Sequence, residues 1–377
     1  MSRPGIHAPG SGPRFLKNHS PNALRECFIA EALPAYRADQ VSSWLYARGV
    51  EDPSEMTDLS LELRQRIATV WRTRVLETLD VDRSSDGTVK AALRADDGAV
   101  VEAVLIPEEG RTTLCVSTQV GCSLDCSFCA TGTLGFGRNL TTAEIVDQVC
   151  RMRELLPETR SITNVVFMGM GEPLLNLANV TEAIRTLLHP KGFAMAPRRV
   201  TVSTAGVVPR IAALLEAVPV NLAVSLHATT DAVRDELVPL NRRFPLDVLL
   251  GTLRDLPQLS RRHPVFFEYI LIRGVNDTPA DARRLVERLK GIPSKVNLMP
   301  MNTHPDSPYR PPAPQVASRF MGELVRGGIT ATLRRSRGAD IDAACGQLAV
   351  RGKKAADGSS ERAQGKRPDR PKPAPGG

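Results

Sequence analysis

Apolar residues recur at three- and four-residue spacings between residues 22 and 73, a pattern that predicts amphipathic helices. The stretches "PAY" and "GVEDPSEMT" separate three such segments. From residue 74 to 110 the pattern becomes strand-like alternation around the turn signals "SSDG" and "DDG". We therefore predict a small helical domain over 22–73 and a β-hairpin or small-sheet extension over 74–110.

Strand-like and helix-like segments then alternate at intervals of roughly 30 residues, the period of βαβ units. Six such units fill residues 111–350, and "ITATLRR" is a possible last strand. Because a complete TIM barrel has eight units, the predicted fold is α/β, an open, partial (six-unit) TIM-like barrel; a doubly wound sheet is the alternative. Both folds bind ligands at the carboxyl ends of their parallel strands, so reactive residues should follow the strands.

The two ends of the chain are rich in Pro and Gly and are predicted to be disordered tails, over 1–21 and 351–377. They contain the net charge of +8, since 351–377 has eight Lys/Arg against three Asp/Glu and 1–21 adds Arg3, Arg14 and Lys17. Basic tails attract nucleic acid or simply keep a protein in solution, and composition leaves both open.

Composition also bears on the compartment. No stretch approaches the ~20 apolar residues of a membrane span, and the N-terminus lacks the apolar segment of a signal peptide. The seven cysteines are odd in number and clustered, which argues against a disulfide framework. We expect a cytoplasmic protein without a membrane partner.

Three cysteines, Cys122, Cys126 and Cys129, lie within "GCSLDCSFCATG", directly after the first predicted barrel strand. A structural zinc site usually takes four ligands as two separated pairs, and no fourth ligand follows at that spacing. Three thiolates on a four-iron cluster leave one iron open to a substrate. The pattern favours such a cluster, and zinc remains the alternative.

Polar or flexible residues follow four other predicted strands and should converge on one mouth. They are Gly171, Glu172, Ser203, Ser225, His227 and Asn302. Cys345 follows the last strand in "SRGADIDAACGQL" and could face Cys115 of the first strand across the barrel. Spacing alone fits two inert core thiols at least as well.

Four stretches of the chain, in their order along it, resemble the motifs of radical S-adenosylmethionine (SAM) enzymes. They are "GCSLDCSFCATG", "FMGMGEPLLN", "SLHA" and "RGADIDAACGQL". More narrowly, the chain resembles the RlmN-type RNA methyltransferases from about residue 22 to 350. The resemblance implies a SAM-dependent RNA (adenine-C2-) methyltransferase with a radical mechanism. Its substrates would be an adenine in the peptidyl-transferase region of 23S rRNA and the adenine next to the anticodon in tRNAs.

The resemblance also implies roles for individual residues. Cys122, Cys126 and Cys129 would ligate a 4Fe-4S cluster, and two SAM molecules would be used per turnover. Cys345 would be methylated by the first SAM and carry the methyl group to the adenine. Glu102 would be the proton acceptor, and Cys115 would resolve the product through a transient disulfide with Cys345. The SAM-holding residues would be Gly171, Glu172, Ser203, Ser225, Leu226, His227 and Asn302.

The implied partners are the two RNAs, bound with the help of the helical domain, and an electron donor such as a flavodoxin-type reductant; the protein would be a monomer. Carbon-8 methylation of the same rRNA adenine is an alternative, although Pro173 and "NLMPMN" favour carbon 2. Thr303 and His304 depart from the Asn-Pro that many relatives have after Asn302. The rivals from other classes are a zinc-bound non-enzymatic RNA-binding protein and a radical enzyme acting on a small molecule.

Overall fold

The computed structural model describes residues 14–304 and 307–349. Our predictions for residues 1–13 and 350–377 therefore lie outside the described residues. Within the described part of the chain we find no helix whose length and hydropathy would let it cross a bilayer.

The N-terminal module is helical, as its apolar periodicity predicts. A parallel pair formed by β1 (Arg14–Phe15) and β2 (Trp71–Arg72) joins its two ends. Between them lie α1 (Pro21–Ala30), α2 (Ala35–Ser42), a π-helical continuation (Ser43–Arg48) and α3 (Leu61–Val70).

The prediction of a disordered tail over 1–21 is wrong for residues 14–21. Leu16 and Lys17 are both 0% exposed, and Ser20 caps α1 by accepting from the Ala23 backbone N–H at 3.4 Å. The physical reason is that Lys17 is charge-paired inside the fold, so a basic residue that looked like part of a solvated tail is a buried one.

The predicted extension is the antiparallel end of the same sheet that forms the barrel. β3 (Glu77–Arg83), β4 (Val89–Arg94) and β5 (Val100–Glu108) pair in succession, and β5 pairs with β6 (Arg111–Cys115). A separate antiparallel ladder pairs β7 (Gln119–Gly121) with β8 (Phe136–Asn139) and was not predicted. It flanks the loop that contains Cys122, Cys126 and Cys129, which we call the cysteine loop.

The rest of the sheet is parallel. From β6 it runs through β9 (Asn164–Phe167), β10 (Val200–Thr204), β11 (Asn221–Ser225), β12 (Val265–Leu271), β13 (Ser294–Pro300) and β14 (Thr330–Leu333). In the described residues β3 and β14 are the two edges of a ten-stranded sheet and do not pair with each other. The prediction of an open, partial α/β barrel is confirmed.

Eight helices occur in the barrel region of the described residues; most bury only part of their surface, whereas the one over Thr142–Glu154 buries every residue from 142 to 152. They are α4 (Ala130–Thr133), α5 (Thr142–Glu154), α6 (Leu177–Leu188), α7 (Val208–Ala217), α8 (Asp231–Leu237), α9 (Leu246–Asp255), α10 (Pro279–Leu289) and α11 (Pro314–Arg326). Thr141 and Glu144 form a capping box that begins α5.

A buried ionic cluster fixes the N-terminal module to α5. We call it the ionic joint: Lys17 and Arg151 each pair with both Glu51 and Asp147. The second carboxylate oxygen of Asp147 accepts from the backbone N–H groups of Val75 and Leu76, at 2.9 and 2.7 Å. The joint therefore ties together the module, the first residues of the extension and the barrel.

Candidate active site

A pocket of ≈ 930 Å³, counted with its open mouth, lies at the carboxyl ends of the parallel strands. This is the place where a parallel α/β fold binds ligands. The predicted site residues that line it are Cys122, Cys126, Cys129, Gly171, Glu172, Ser203, Ser225, His227 and Cys345.

The cysteine loop is held from both sides. Gly121 has φ +71, and a Cβ there would lie 1.9 Å from the Gly135 carbonyl oxygen, so only glycine allows this close approach. The Cys122 N–H donates to the same carbonyl at 2.9 Å, and the Ala130 N–H donates to Gly346 O at 2.7 Å. The loop is thus bonded to the β8 side and to the segment that carries Cys345.

The three thiols fit a cluster better than a single ion. Among the described residues, only Glu51, Asp147 and Cys150 form a trio of potential ligands whose atoms all lie within 4.8 Å of one another. Lys17 and Arg151 already balance that trio. The sulfurs of the cysteine loop are spread more widely than one zinc ion with Zn–S bonds of about 2.3 Å allows. A multi-iron cluster takes the same ligand type and spans thiolates that lie farther apart.

Burial raises the pKa of Cys122 to about 11 and also raises the pKa of Cys126. Both thiols are therefore protonated at neutral pH in the protein alone. A metal ligand must be a thiolate, so binding a cluster here releases protons.

Glu172 lies at the junction of β9 and β10. Its carboxylate accepts from the backbone N–H groups of Leu174 (3.0 Å) and Ala205 (2.8 Å), and burial raises its pKa to about 7. Gly171 precedes it with φ +94, and a Cβ there would lie 2.5 Å from the Gln119 side chain. The tight "GMGE" turn thus aims an incompletely compensated carboxylate at the pocket.

His227 is neutral and has a defined tautomer. Its Nδ1 accepts from the Ile270 N–H at 3.1 Å, so the ring proton is on Nε2. Burial and the charge of Arg234 lower its pKa to about 3. Its ring packs edge-on against Phe128 of the cysteine loop, with centroids 4.8 Å apart. Leu226 is buried beside it and does not line the pocket.

Cys345 and Cys115 are separate free thiols: Cys345 lines the pocket as an exposed residue, and Cys115 is buried. Desolvation raises the pKa of both, and the charge of Cys345 adds to the effect at Cys115. Asn302 lies outside the pocket wall and fixes this segment, because its Nδ2 donates to Cys345 O at 3.1 Å. Cys115, at the end of β6, lies behind the wall.

Glu102 is buried on β5 and does not line the pocket. One carboxylate oxygen is 3.4 Å from Lys90 Nζ, and the other accepts from the Ala349 N–H at 3.0 Å. The structure therefore bonds this predicted base to the segment that follows Cys345.

Three charged residues of this region, Glu268, Arg334 and Arg234, were not singled out as site residues from the sequence. Glu268 of β12 lines the pocket with one carboxylate oxygen unpartnered, and Arg234 of α8 is buried behind the strand ends. A signal existed for Glu268, because a carboxylate inside the apolar run "FFEYI" of a buried parallel strand is unusual. Arg234 sits in the polar segment "DAVRDEL", where arginine is ordinary.

Comparisons with known proteins agree with this architecture. The model of the radical SAM superfamily matches residues 116–286, and that of the ribosomal RNA large subunit methyltransferase N-terminal domain matches residues 16–72. A dual-specificity RNA methyltransferase RlmN of Geobacter sulfurreducens is 49% identical over 88% of this chain and 91% of its own. That of Syntrophobacter fumaroxidans is 50% identical over 89% and 98%.

A solved radical SAM methyltransferase from Sphaerobacter thermophilus has a TM-score of 0.84 and 43% identity, covering 89% of this chain and 99% of its own. Both the motifs and the whole architecture are therefore shared with these proteins. The chain belongs to the RlmN family of dual-specificity RNA methyltransferases, within the radical SAM superfamily.

Proposed function

We propose that the protein methylates carbon 2 of an adenine in 23S rRNA and of the adenine next to the anticodon in tRNAs. The observation that carries this proposal is that the cysteine loop and Cys345 line one pocket, and that the charge of Cys345 acts on the pKa of the buried Cys115 thiol. Carbon 2 of adenine is not nucleophilic, so direct displacement from SAM fails there and a thiol relay with radical chemistry is needed. Family membership supports the same reaction.

Cys122, Cys126 and Cys129 would hold a 4Fe-4S cluster, and two SAM molecules would be consumed per turnover. When bound, the cluster would supply an open iron for SAM and the electron that cleaves it. The chain's own residues orient SAM: Gly171 allows close approach, the Glu172 carboxylate accepts from the amino group, and His227 offers its Nε2–H. Ser203 and Ser225 line the same wall, while Leu226 and Asn302 act from behind it.

Cys345 is the proposed methyl carrier. Its thiol must lose a proton before it can attack the methyl group of SAM, because the thiolate is the nucleophile. The desolvating pocket wall opposes that loss by raising the pKa of Cys345, and the positive charge of Arg334 in the same wall favours it. After the methyl carbon has joined the adenine, Cys115 attacks Cys345 and frees the product. This step leaves a transient disulfide, which an external reductant must then reduce.

Glu102 is the proposed acceptor of the adenine ring proton. The ammonium of Lys90 lies 3.4 Å from one of its carboxylate oxygens. Its hydrogen bond to Ala349 connects the base to the chain segment that bears Cys345. Use of Glu102 as a base would therefore be coupled to the position of that segment.

The remaining parts of the proposal concern partners. The N-terminal module would contact the RNA, a flavodoxin-type protein would donate electrons, and the enzyme would act as a cytoplasmic monomer. Exposed aromatic rings under arginines on the module, such as Tyr36 beneath Arg37, suit contacts with bases and phosphates.

The test is anaerobic turnover of reconstituted protein with SAM, a reductant and unmodified 23S rRNA fragment or tRNA. Mass spectrometry of the digested RNA should show 2-methyladenosine with wild type and with Cys27→Ala, whose thiol lies on α1 outside the pocket. Cys345→Ala should give none. Formation of 8-methyladenosine would assign the sister activity, and a colourless zinc protein without product would contradict the proposal.

A further inference from the structure

Arg234 is a fully buried cation whose hydrogen-bond partners are all neutral. Its Nε donates to Leu226 O (3.0 Å), and its Nη2 donates to Ala205 O (2.7 Å) and Ser225 O (3.1 Å). Its Nη1 donates to Asn241 Oδ1 at 3.0 Å. Across residues 14–304 and 307–349, no carboxylate approaches it within salt-bridge distance. Since burying an unpaired charge is costly, a counter-charge is expected nearby.

The chain supplies only part of that counter-charge. Asp231 and Asp235 reach Arg234 through the Asn241 amide, which donates to them at 2.9 and 2.6 Å. Both carboxylates are half-buried. Their negative charges raise the pKa of Arg234 by less than the burial of Arg234 lowers it, so that the pKa falls to about 10.

The environment of α8 shows where the rest of the counter-charge belongs. The helix packs on the cysteine loop, because the Ser127 N–H donates to Leu237 O at 3.2 Å and Val233 packs in the same apolar cluster as Cys126 and Phe128. The Arg234 charge lowers the pKa of Cys126, against the larger effect of burial. Arg234 thus lies near Cys126, and its own side chain is shielded from water.

We propose that Arg234 is the fixed counter-charge of the iron–sulfur cluster and raises its reduction potential. The inference rests on the proposed function, since it requires a cluster on Cys126. A thiolate-ligated cluster is net negative and gains one more negative charge on reduction. A buried cation beside it stabilises the reduced form more than the oxidised one, because the effective dielectric constant there is low. Arg234 is therefore a positioning residue that acts through the cluster.

The test is the midpoint reduction potential of the reconstituted holoenzyme, measured by a spectroscopic redox titration. Arg234→Gln should shift the potential to a more negative value, and Arg234→Lys, which keeps the charge, should restore most of the difference. A purely structural role would affect both variants through lost carbonyl contacts without this charge dependence. Equal potentials for wild type and Arg234→Gln would overturn the inference.

Arg234 also holds strand-end carbonyls, so a second variant keeps the test valid if Arg234→Gln does not fold. Asp235→Asn removes a negative charge and leaves every Arg234 contact in place, so the potential should move to a more positive value. Glu236→Gln, an exposed neighbour on the same helix, is the matched control and should leave the potential unchanged. An unchanged potential in Asp235→Asn would contradict the proposed charge balance.

Iron content and absorbance distinguish a failure of the proposed function from a failure of the proposed role of Arg234. A wild-type protein that binds no iron after reconstitution overturns the proposed function and this inference with it. A wild-type cluster whose potential is insensitive to both Arg234→Gln and Asp235→Asn overturns only the inference.

Discussion

The ionic joint and the pocket both bury ionisable side chains, and they balance them in opposite ways. In the joint, burial alone would lower the pKa of Lys17 and raise that of Asp147. The neighbouring opposite charges prevail at both, so the pKa of Lys17 rises and that of Asp147 falls. In the pocket, burial prevails: the pKa of Glu172 rises to about 7 and that of His227 falls to about 3.

The direction of these shifts separates structural from functional burial of charge. Joint residues are held in their charged forms because the chain itself provides the partner. The pKa values of the pocket residues are shifted toward the neutral forms because the chain does not provide one. A buried group that lacks its partner is costly, so such a site is retained where a ligand completes it. The pocket is therefore suited to binding charged ligands, whereas the charges of the joint are balanced within the chain.

The largest expected effect tests the pocket side of this comparison. Cys126→Ala should abolish cluster binding and product formation completely, because the thiol is one of the three proposed cluster ligands. The unfolding free energy of the cluster-free protein should change by less than about 1 kcal/mol, since the thiol has no ionic partner to lose. Iron analysis and urea unfolding check both parts. A large loss of apo-protein stability would mean that the thiol is structural.

The joint should respond in the opposite manner. Asp147→Asn leaves the buried cations Lys17 and Arg151 to share Glu51 as their remaining carboxylate in the joint, and should destabilise the fold by about 3–5 kcal/mol. Activity per cluster-loaded folded molecule should remain. The control is Glu154→Gln, whose half-exposed side chain pairs with the same Arg151 and should contribute less than about 1 kcal/mol. Urea midpoints compare the variants, and equal losses in both would contradict the distinction.

The same comparison explains which features the sequence could predict. The period of the βαβ units and the order of the motifs are local patterns, so the open barrel and the pocket-lining residues could be predicted from them. The position of a charge inside the fold is not local. Lys17 resembled a tail residue and Arg234 a solvated one, because their partners lie in distant elements or outside the chain.

Two further features had no pattern to reveal them. The β7–β8 ladder consists of strands too short for a periodicity to appear. Asn302 was expected at the mouth, but it does not line the pocket and instead bonds the backbone of Cys345. Sequence position placed it near the correct strand end, and its side-chain direction depended on tertiary packing. Glu102, whose role came only from the resemblance, also lies outside the pocket lining and bonds Ala349.

A smaller effect is expected when the charge that the pocket offers to SAM is removed. Glu172→Gln should weaken SAM binding about 10- to 100-fold, the range for a hydrogen bond to a charged group. The wild-type carboxyl has a pKa of about 7, so it loses its proton as pH rises through 7 and affinity for SAM should increase over that interval. Calorimetry of the cluster-loaded protein between pH 6 and 8 measures this, and the Glu172→Gln variant should show little pH dependence. A pH-independent wild type would argue against this contact.

The smallest effect concerns acid stability and returns to the joint. The folded-state pKa of Asp147 is below its unfolded value, so its contribution to stability is fully present above the unfolded pKa, near 4, and is lost as pH falls through the folded pKa. Because one proton is involved, the loss cannot exceed about 1.4 kcal/mol per pH unit. Urea unfolding of the cluster-free protein between pH 5 and pH 3 should therefore show a steeper decline for wild type than for Asp147→Asn. Parallel declines would show that other carboxylates, and not the joint, control acid unfolding.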